Sequence, residues 1–218
     1  MVQHILPPAL PARLEEAERG EELIDMARAT EEAVADWRFC GLELSGGSLR
    51  DMRFERCEFS GCRFTGADLS RATFLDTVFK NCDFSAVRGE SVYFCRCRWQ
   101  GIKAMGAIFT DCRLVHMVLE NCTLVGANLT GASIEQARFS GSDFSESYFS
   151  ECRHKALTVN EDTFVKTSFF GTPLAGLYFT TSRFEGVTVS DSGAELRGAV
   201  VTVEQAADLA RVLGVVVR

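Results

Sequence analysis

Large apolar side chains recur along this chain every five residues. From Phe39 to Val189 there are thirty-one positions so spaced, and twenty-eight of them hold Phe, Leu, Ile, Val or Trp. Sixteen of the seventeen phenylalanines keep the beat, among them Phe54, Phe59, Phe64, Phe74, Phe79 and Phe84. The exceptions in the column are Gly89, Ala104 and His154. Neither the 3.6-residue period of a helix nor the alternation of a flat strand produces this spacing. A second, mostly small column stands two residues earlier: Cys57, Cys62, Ala67, Ala72, Thr77 and Cys82, then Ala107, Cys112, Ala127, Ala132 and Ala137. Residues two apart on an extended chain point the same way, so both columns face one interior. The positions that follow, such as Ser60-Gly61, Thr65-Gly66 and Ser140-Gly141, carry turn chemistry. Each unit is thus predicted to be a short extended piece ending in a corner, stable only when stacked on its neighbours.

The units Cys62-Arg63-Phe64-Thr65-Gly66, Ala67-Asp68-Leu69-Ser70-Arg71 and Ala127-Asn128-Leu129-Thr130-Gly131 resemble the pentapeptide-repeat family. The resemblance covers about residues 34–201 and implies an all-β solenoid, a right-handed quadrilateral β-helix with four units per coil. Residues twenty apart then stack. One interior column becomes Phe39, Phe59, Phe79, Trp99, Leu119, Phe139, Val159, Phe179; the next runs Leu44, Phe64, Phe84, Ala104, Leu124, Phe144, Phe164, Phe184. Thirty-one units make nearly eight coils, a rod on the order of 38 Å at strand spacing. On its outside, Glu43, Arg63, Asp83 and Lys103 should form a ladder of alternating charge. Two flaws are expected. Gly89 should mark a corner or a flattened coil. His154 and the inward-register Asp162 should make the chain near 154–162 bulge or admit water, because a buried carboxylate needs partners.

Both ends leave the pattern. Residues 1–33 form an acidic N-terminal cap in this reading: Pro7, Pro8 and Pro11 mark an extended lead, and short helical turns over Leu14–Glu18 and Glu21–Arg28 are interrupted at Gly20. Leu23, Ile24 and Ala27 share a helical face able to cover the open first coil. After the repeat region of 34–201, the register shifts to Leu196 and Val201. In 202–218, Thr202 and Gln205 form a capping box, Ala206, Leu209, Ala210 and Leu213 an apolar stripe, Gly214 a stop, and Val215-Val216-Val217 a strand. The stretch Leu196–Ala207 with Leu209 and Gly214-Val215 is similar to the end of the quinolone-protecting MfpA and Qnr branch of the family. That similarity implies tail-to-tail dimerisation, here through Ala206, Leu209, Ala210, Leu213, Val215 and Val217. It further implies a rod that mimics DNA and binds DNA gyrase or topoisomerase IV. The same ending reads equally as a generic cap for such rods.

Composition narrows the chemistry. At 218 residues, 46 % hydrophobic and 24 % charged, the chain suits one soluble domain. It has no apolar run long enough for a membrane span and no signal-peptide pattern at its start, so a cytoplasmic location is expected. Seven of nine cysteines occupy the small inward column, where Cys packs as a compact hydrophobe; neither zinc nor a disulfide framework is expected. The three histidines are far apart and no nucleophile elbow or phosphate loop occurs, so catalysis, metal and cofactor are all expected to be absent. The net charge of −7 resides mostly in residues 1–34, where eight acids face three arginines; the rest of the chain is near balance. DNA of equal length would carry on the order of 22 negative charges, so mimicry can rest only on one face. That face carries Asp51, Asp68, Glu90, Asp111, Glu151 and Asp191 and is the candidate surface for a protein partner. The adjacent face carries Arg53, Arg56, Arg96, Arg113, Arg153 and Lys155, but an acidic pI near 5.1 and few outward aromatics argue against direct nucleic-acid binding. The alternative is a rigid scaffold or adaptor for a different protein.

Overall fold

The computed structural model describes residues 4–212 and 214–217. The chain winds into a right-handed β-helix of about nine turns. Its named strands are β1 (Glu15–Glu16), β2 (Val34–Ala35), β3 (Trp37–Cys40), β4 (Arg53–Glu55), β5 (Glu58–Ser60), β6 (Thr73–Leu75), β7 (Val78–Lys80), β8 (Tyr93–Gln100), β9 (Arg113–Glu120), β10 (Ser133–Ser140), β11 (Arg153–Asn160), β12 (Thr163–Val165) and β13 (Arg183–Glu185). Helix α1 (Gly20–Thr30) precedes β2 and helix α2 (Val203–Val212) follows the last coil.

Pairing is parallel with a twenty-residue offset, which is the predicted coil length. Phe39 stands over Phe59, Phe59 over Phe79, Phe79 over Trp99, Trp99 over Leu119, Leu119 over Phe139 and Phe139 over Val159. The rings stack at the spacing of the coils: Phe39 and Phe59 lie 4.7 Å apart at 10°, and Phe64 and Phe84 lie 4.5 Å apart at 12°. Neighbouring columns meet edge to face, as Phe59 and Phe64 do at 5.5 Å. Stacked and edge-on contacts are the two arrangements that ring quadrupoles favour, so the core is ordered as well as dry. The charge ladder also forms: Glu43, Arg63, Asp83 and Lys103 bridge successive coils, and Arg63 reaches Glu43 at 3.4 Å. The corners need left-handed backbone every five residues. Glycine supplies it at Gly61 and Gly66, and even Arg56, Arg71 and Arg96 adopt it, at φ of 50°, 59° and 52°.

Gly89 departs from expectation. It lies in an unbroken ladder, donating to the Ile108 carbonyl at 2.7 Å, and is neither a left-handed corner nor a collapse. A Cβ there would lie 2.7 Å from Cδ1 of Phe109, so the ring one coil below fills the space that the missing side chain leaves.

The flaw near 154–162 is larger, and Pro173 is its cause. In each regular coil the residue before the large one donates its N–H to the coil above, as Arg153 does to Ala132 and Thr163 to Ser142. Pro173 occupies that position and has no N–H. Among the described residues no backbone hydrogen bond joins β11 to residues 173–180, whereas β12 and β13 remain paired on another face. Residues 173–180 turn instead to the last coil, where Phe179 donates to Val200 and Leu174 to Glu195. The partner offset there is twenty-two, Tyr178 facing Val200, which is the register shift expected at Leu196 and Val201. His154 does not enter the core; its Nε2 reaches the Pro173 carbonyl at 2.5 Å. Asp162 does enter, at 1 % exposure, and is satisfied: its carboxylate accepts the N–H of Ser142 at 2.8 Å and of Asn160 at 3.0 Å. It continues a line of side-chain acceptors in which Ser142 Oγ receives the Cys122 N–H and Ser182 Oγ receives that of Asp162.

At the N-terminus, Glu15–Glu16 pair with Trp37–Arg38 as a strand rather than a helical turn. Their N–H groups and carbonyls complete the exposed first coil, a demand that outweighs the helix preference of glutamate. Helix α1 then lies across the coil end, burying Ile24 and Ala27 with Leu23 partly buried beside them. Gly20 permits that approach, since a Cβ there would meet Phe39 Cδ1 at 3.0 Å. At the other end Thr202 Oγ1 accepts the Gln205 N–H at 3.3 Å and Gln205 Oε1 accepts the Thr202 N–H at 2.9 Å, the expected reciprocal cap. Val215–Val217 form no strand; the Val215 N–H turns back to the Ala210 carbonyl at 2.8 Å.

Candidate recognition surfaces

The predicted acidic face divides once ion pairs are traced. Asp51 is held by both branches of Arg71, Nε to Oδ1 at 2.6 Å and the terminal nitrogen to Oδ2 at 2.5 Å. This hydrogen bonding keeps the Asp51 carboxyl below the usual carboxylate range. Asp68 accepts the Ser70 N–H at 2.9 Å and pairs with Arg50 at 3.3 Å. Glu90, Asp111, Glu151 and Asp191 have no ion-pair partner among the described residues and are exposed. Asp111 and Glu151 lie over Gly131 and Gly171 of the coils below, which leave them room. The four acids span five coils of rod, roughly 24 Å at strand spacing. Ile108, Tyr148 and Phe170 protrude on the same side, each about half exposed, and Ile108 and Tyr148 belong to one ladder through Asn128.

Half of the neighbouring basic face is neutralised by carboxylates. Arg56 grips Asp36 and Arg96 grips Asp76 with the same two-pronged geometry, all four contacts between 2.6 and 2.8 Å. Arg53 pairs with Glu55, and the Arg113 guanidinium stands 5.3 Å over the Tyr93 ring. Arg153 and Lys155 lack carboxylate partners within salt-bridge distance among the described residues. They line a groove of about 560 Å³ with Arg113, Ser133, His154, Asp111 and Glu135.

An element that periodicity could not reveal lies beside this face. The lead that holds Pro7, Pro8 and Pro11 is extended, but it runs along the side of the rod. Gln136 Nε2 donates to the His4 carbonyl at 3.3 Å, the Leu6 N–H donates to His116 Nδ1 at 3.2 Å, and the Ala9 N–H donates to Asp76 Oδ1 at 2.9 Å. Between these anchors Cys95, which points outward on a bare repeat, is only 7 % exposed. Burial lowers the pKa of His116, favouring the neutral ring that the Leu6 contact requires. Glu195 was equally hidden from pattern reading. Its buried carboxylate receives the N–H groups of Gly171 and Ser190 and the Ser190 hydroxyl, replacing carbonyls that a further coil would have offered.

The expected dimer stripe is split by the structure. Leu209 is buried against the last coil, Ala210 is half-buried and Ala206 is exposed. Val215 and Val217 are 55 % and 37 % exposed; Leu213 lies outside the described residues. All nine cysteines are free thiols, eight of them buried. Burial pushes those of Cys57, Cys122 and Cys152 up to about 11 and that of Cys97 to about 12. Such thiols are poor metal ligands and nucleophiles, and no group of three or more metal-binding side chains converges among the described residues. Among the described residues, no helix is long and apolar enough to cross a membrane.

A family model described as a pentapeptide repeat region matches residues 52–129 and again 74–149. Full-length QnrB1, a plasmid-mediated fluoroquinolone resistance protein, is 19 % identical, with 82 % of this chain and 100 % of that chain covered at a TM-score of 0.35. HetL, a pentapeptide repeat protein involved in heterocyst differentiation regulation in the cyanobacterium Nostoc sp. strain PCC 7120, is 16 % identical, covering 81 % and 90 % at 0.40. Rfr23 from the cyanobacterium Cyanothece 51142 is 15 % identical, covering 67 % and 99 % at 0.42. No curated protein matches the chain.

Proposed function

The chain is a pentapeptide-repeat protein, and from that premise we propose that it works without catalysis, by presenting one rigid face to a protein partner. The specific partner we propose is a type II topoisomerase, gyrase or topoisomerase IV, engaged through mimicry of DNA and protected thereby from quinolones. The observation that carries this reading is the line of four unpaired acids, Glu90, Asp111, Glu151 and Asp191. Arg50 and Arg71 on that side are taken up by Asp68 and Asp51, which leaves Arg88 as the cation near these four acids, so the side keeps a negative excess. The similarity of the 196–215 ending to the quinolone-protecting branch supports the same reading. Exposed Ile108, Tyr148 and Phe170 between the acids suit a protein surface with apolar recesses.

A second reading rests on the same pairing. With Asp36, Asp51 and Asp76 each gripped by an arginine, the rod is close to neutral over much of its length, which suits a stiff scaffold for another protein. A supercoiling assay with purified gyrase, with and without a fluoroquinolone, separates the two. The topoisomerase reading expects a response at near-stoichiometric protein and loss of at least about tenfold potency when Glu90, Asp111 and Glu151 are changed to Lys. No effect up to large excess rejects it and leaves the scaffold.

A further inference from the structure

The break at Pro173 leaves a strand edge open in a fold that otherwise closes its edges by winding. Among the described residues, the N–H groups of His154, Ala156 and Val159 on β11 make no backbone hydrogen bond to residues 173–180, and opposite them Tyr178 N–H has no backbone partner. In regular coils the equivalent N–H groups are paired: Leu114 and Leu119 lie in the ladder of β9 with β10, and Asp76, which stacks in the column of Ala156, donates to Cys95. Beneath the gap, Phe139, Phe164, Leu174 and Phe179 surround a void of about 20 Å³, enough for one water. Leu157, in the inward column, is partly exposed, whereas Ala137 one coil above it is sealed. The imidazole of His154 bridges the mouth to the Pro173 carbonyl.

We propose that this gap is a strand-insertion site that takes an extended peptide of a partner protein, with acidic side chains alternating with apolar ones. Backbone groups of the guest would pair with β11 on one side and with residues 175–178 on the other, the mode by which open sheet edges recruit peptides. Alternate guest side chains would cover the partly exposed Leu157 at the mouth, since the void beneath holds no more than a water, and point out past β11. The outward ones meet Arg153 and Lys155, with Arg113 beyond, while Glu135 and Asp111 are the opposing acids of the groove; the cations outnumber them, and this selects an acidic guest. His154 acts as a removable wedge, since its bond to Pro173 occupies an acceptor that a guest N–H could use. The site meets the line of four acids only at Asp111 and does not rest on the topoisomerase reading.

The test uses the full chain and a fluorescein-labelled, end-capped octapeptide of alternating valine and glutamate, with the valine–lysine peptide as control. Anisotropy should show saturable binding of the acidic peptide with a Kd below about 100 μM, and at least about tenfold weaker binding of the basic one. The variant His154→Leu with Pro173→Thr removes the wedge and restores the missing N–H, so the ladder closes. It should keep its β-rich circular dichroism, melt no lower than the parent, and lose at least about tenfold in affinity. Arg153→Glu with Lys155→Glu should reverse the charge preference. The proposal fails if the acidic peptide does not bind up to about 1 mM, or if the closed variant binds it equally. It also fails if closing the ladder converts a dimer to a monomer, which would make a second copy the occupant.

Discussion

Asp162 shows what one residue can do to the rod's energetics. Burial pushes its carboxyl up to about 7, against the two backbone N–H groups that favour its charged form. A folded-state pKa raised above the unfolded value means that the native state binds the proton more tightly. Stability from this site is therefore fully present below about pH 4 and is lost as pH rises through about 7. Asp162→Asn fixes the neutral form. The variant lacks the acceptor that receives one of the two N–H groups and should start less stable at about pH 4, but relative to the parent it should gain about 1–3 kcal/mol between about pH 4 and pH 8. Denaturant melts across that range check it, and a pH-independent gap would show that charge at this site is not what matters.

At the scale of elements, the lead along residues 4–14 is the part most open to perturbation. It is held by three polar contacts at Gln136, His116 and Asp76, and Cys95, buried although outward in register, lies next to the Asp76 anchor. Removing residues 1–12 should therefore expose a second thiol. The intact protein should show one fast thiol toward a disulfide reagent, Cys40, and the shortened one two, without loss of the β-rich spectrum. An unchanged count would mean that the rod alone shields Cys95. The coils, the inward cysteines, the charge ladder, helix α1 and the Thr202–Gln205 cap were all legible because each follows from spacing along the chain. The lead was not, because its partners lie 67 to 132 residues away and no period connects them. The ladder break was legible at His154 and Asp162 but not at its cause, since Pro173 matters only for an N–H that the fold demands there. The neutralised charges were hidden for the same reason: counting by face treated Asp76 and Arg96 as opposing sums, whereas the coil makes them a pair.

For the whole molecule, the open question is closure at the C-terminal end. Leu209 seals the last coil, yet Val212, Val215, Val216 and Val217 remain 39 %, 55 %, 81 % and 37 % exposed. A patch of this kind suits a twofold mate, and we propose a tail-to-tail dimer roughly 80 Å long at strand spacing. Val215→Glu would place an unpaired charge in that contact and should give a monomer with an unaltered circular dichroism spectrum. Sedimentation of the parent as a monomer at high micromolar concentration would remove the dimer, and with it much of the case for a DNA-length mimic.

The twenty-residue coil also dictates how such a protein can change in length over evolution. An inserted or deleted residue throws later side chains out of the core unless a loop absorbs it, as one does before Leu196 and Val201. A whole inserted pentapeptide keeps the core but swings everything beyond it a quarter turn around the axis. Placed between Asp111 and Glu151, it would split the line of acids onto two adjoining sides. Only a gain or loss of twenty residues preserves the surface map, lengthening or shortening the rod by one step of about 4.8 Å. Length and surface pattern can therefore be inherited together only in whole coils.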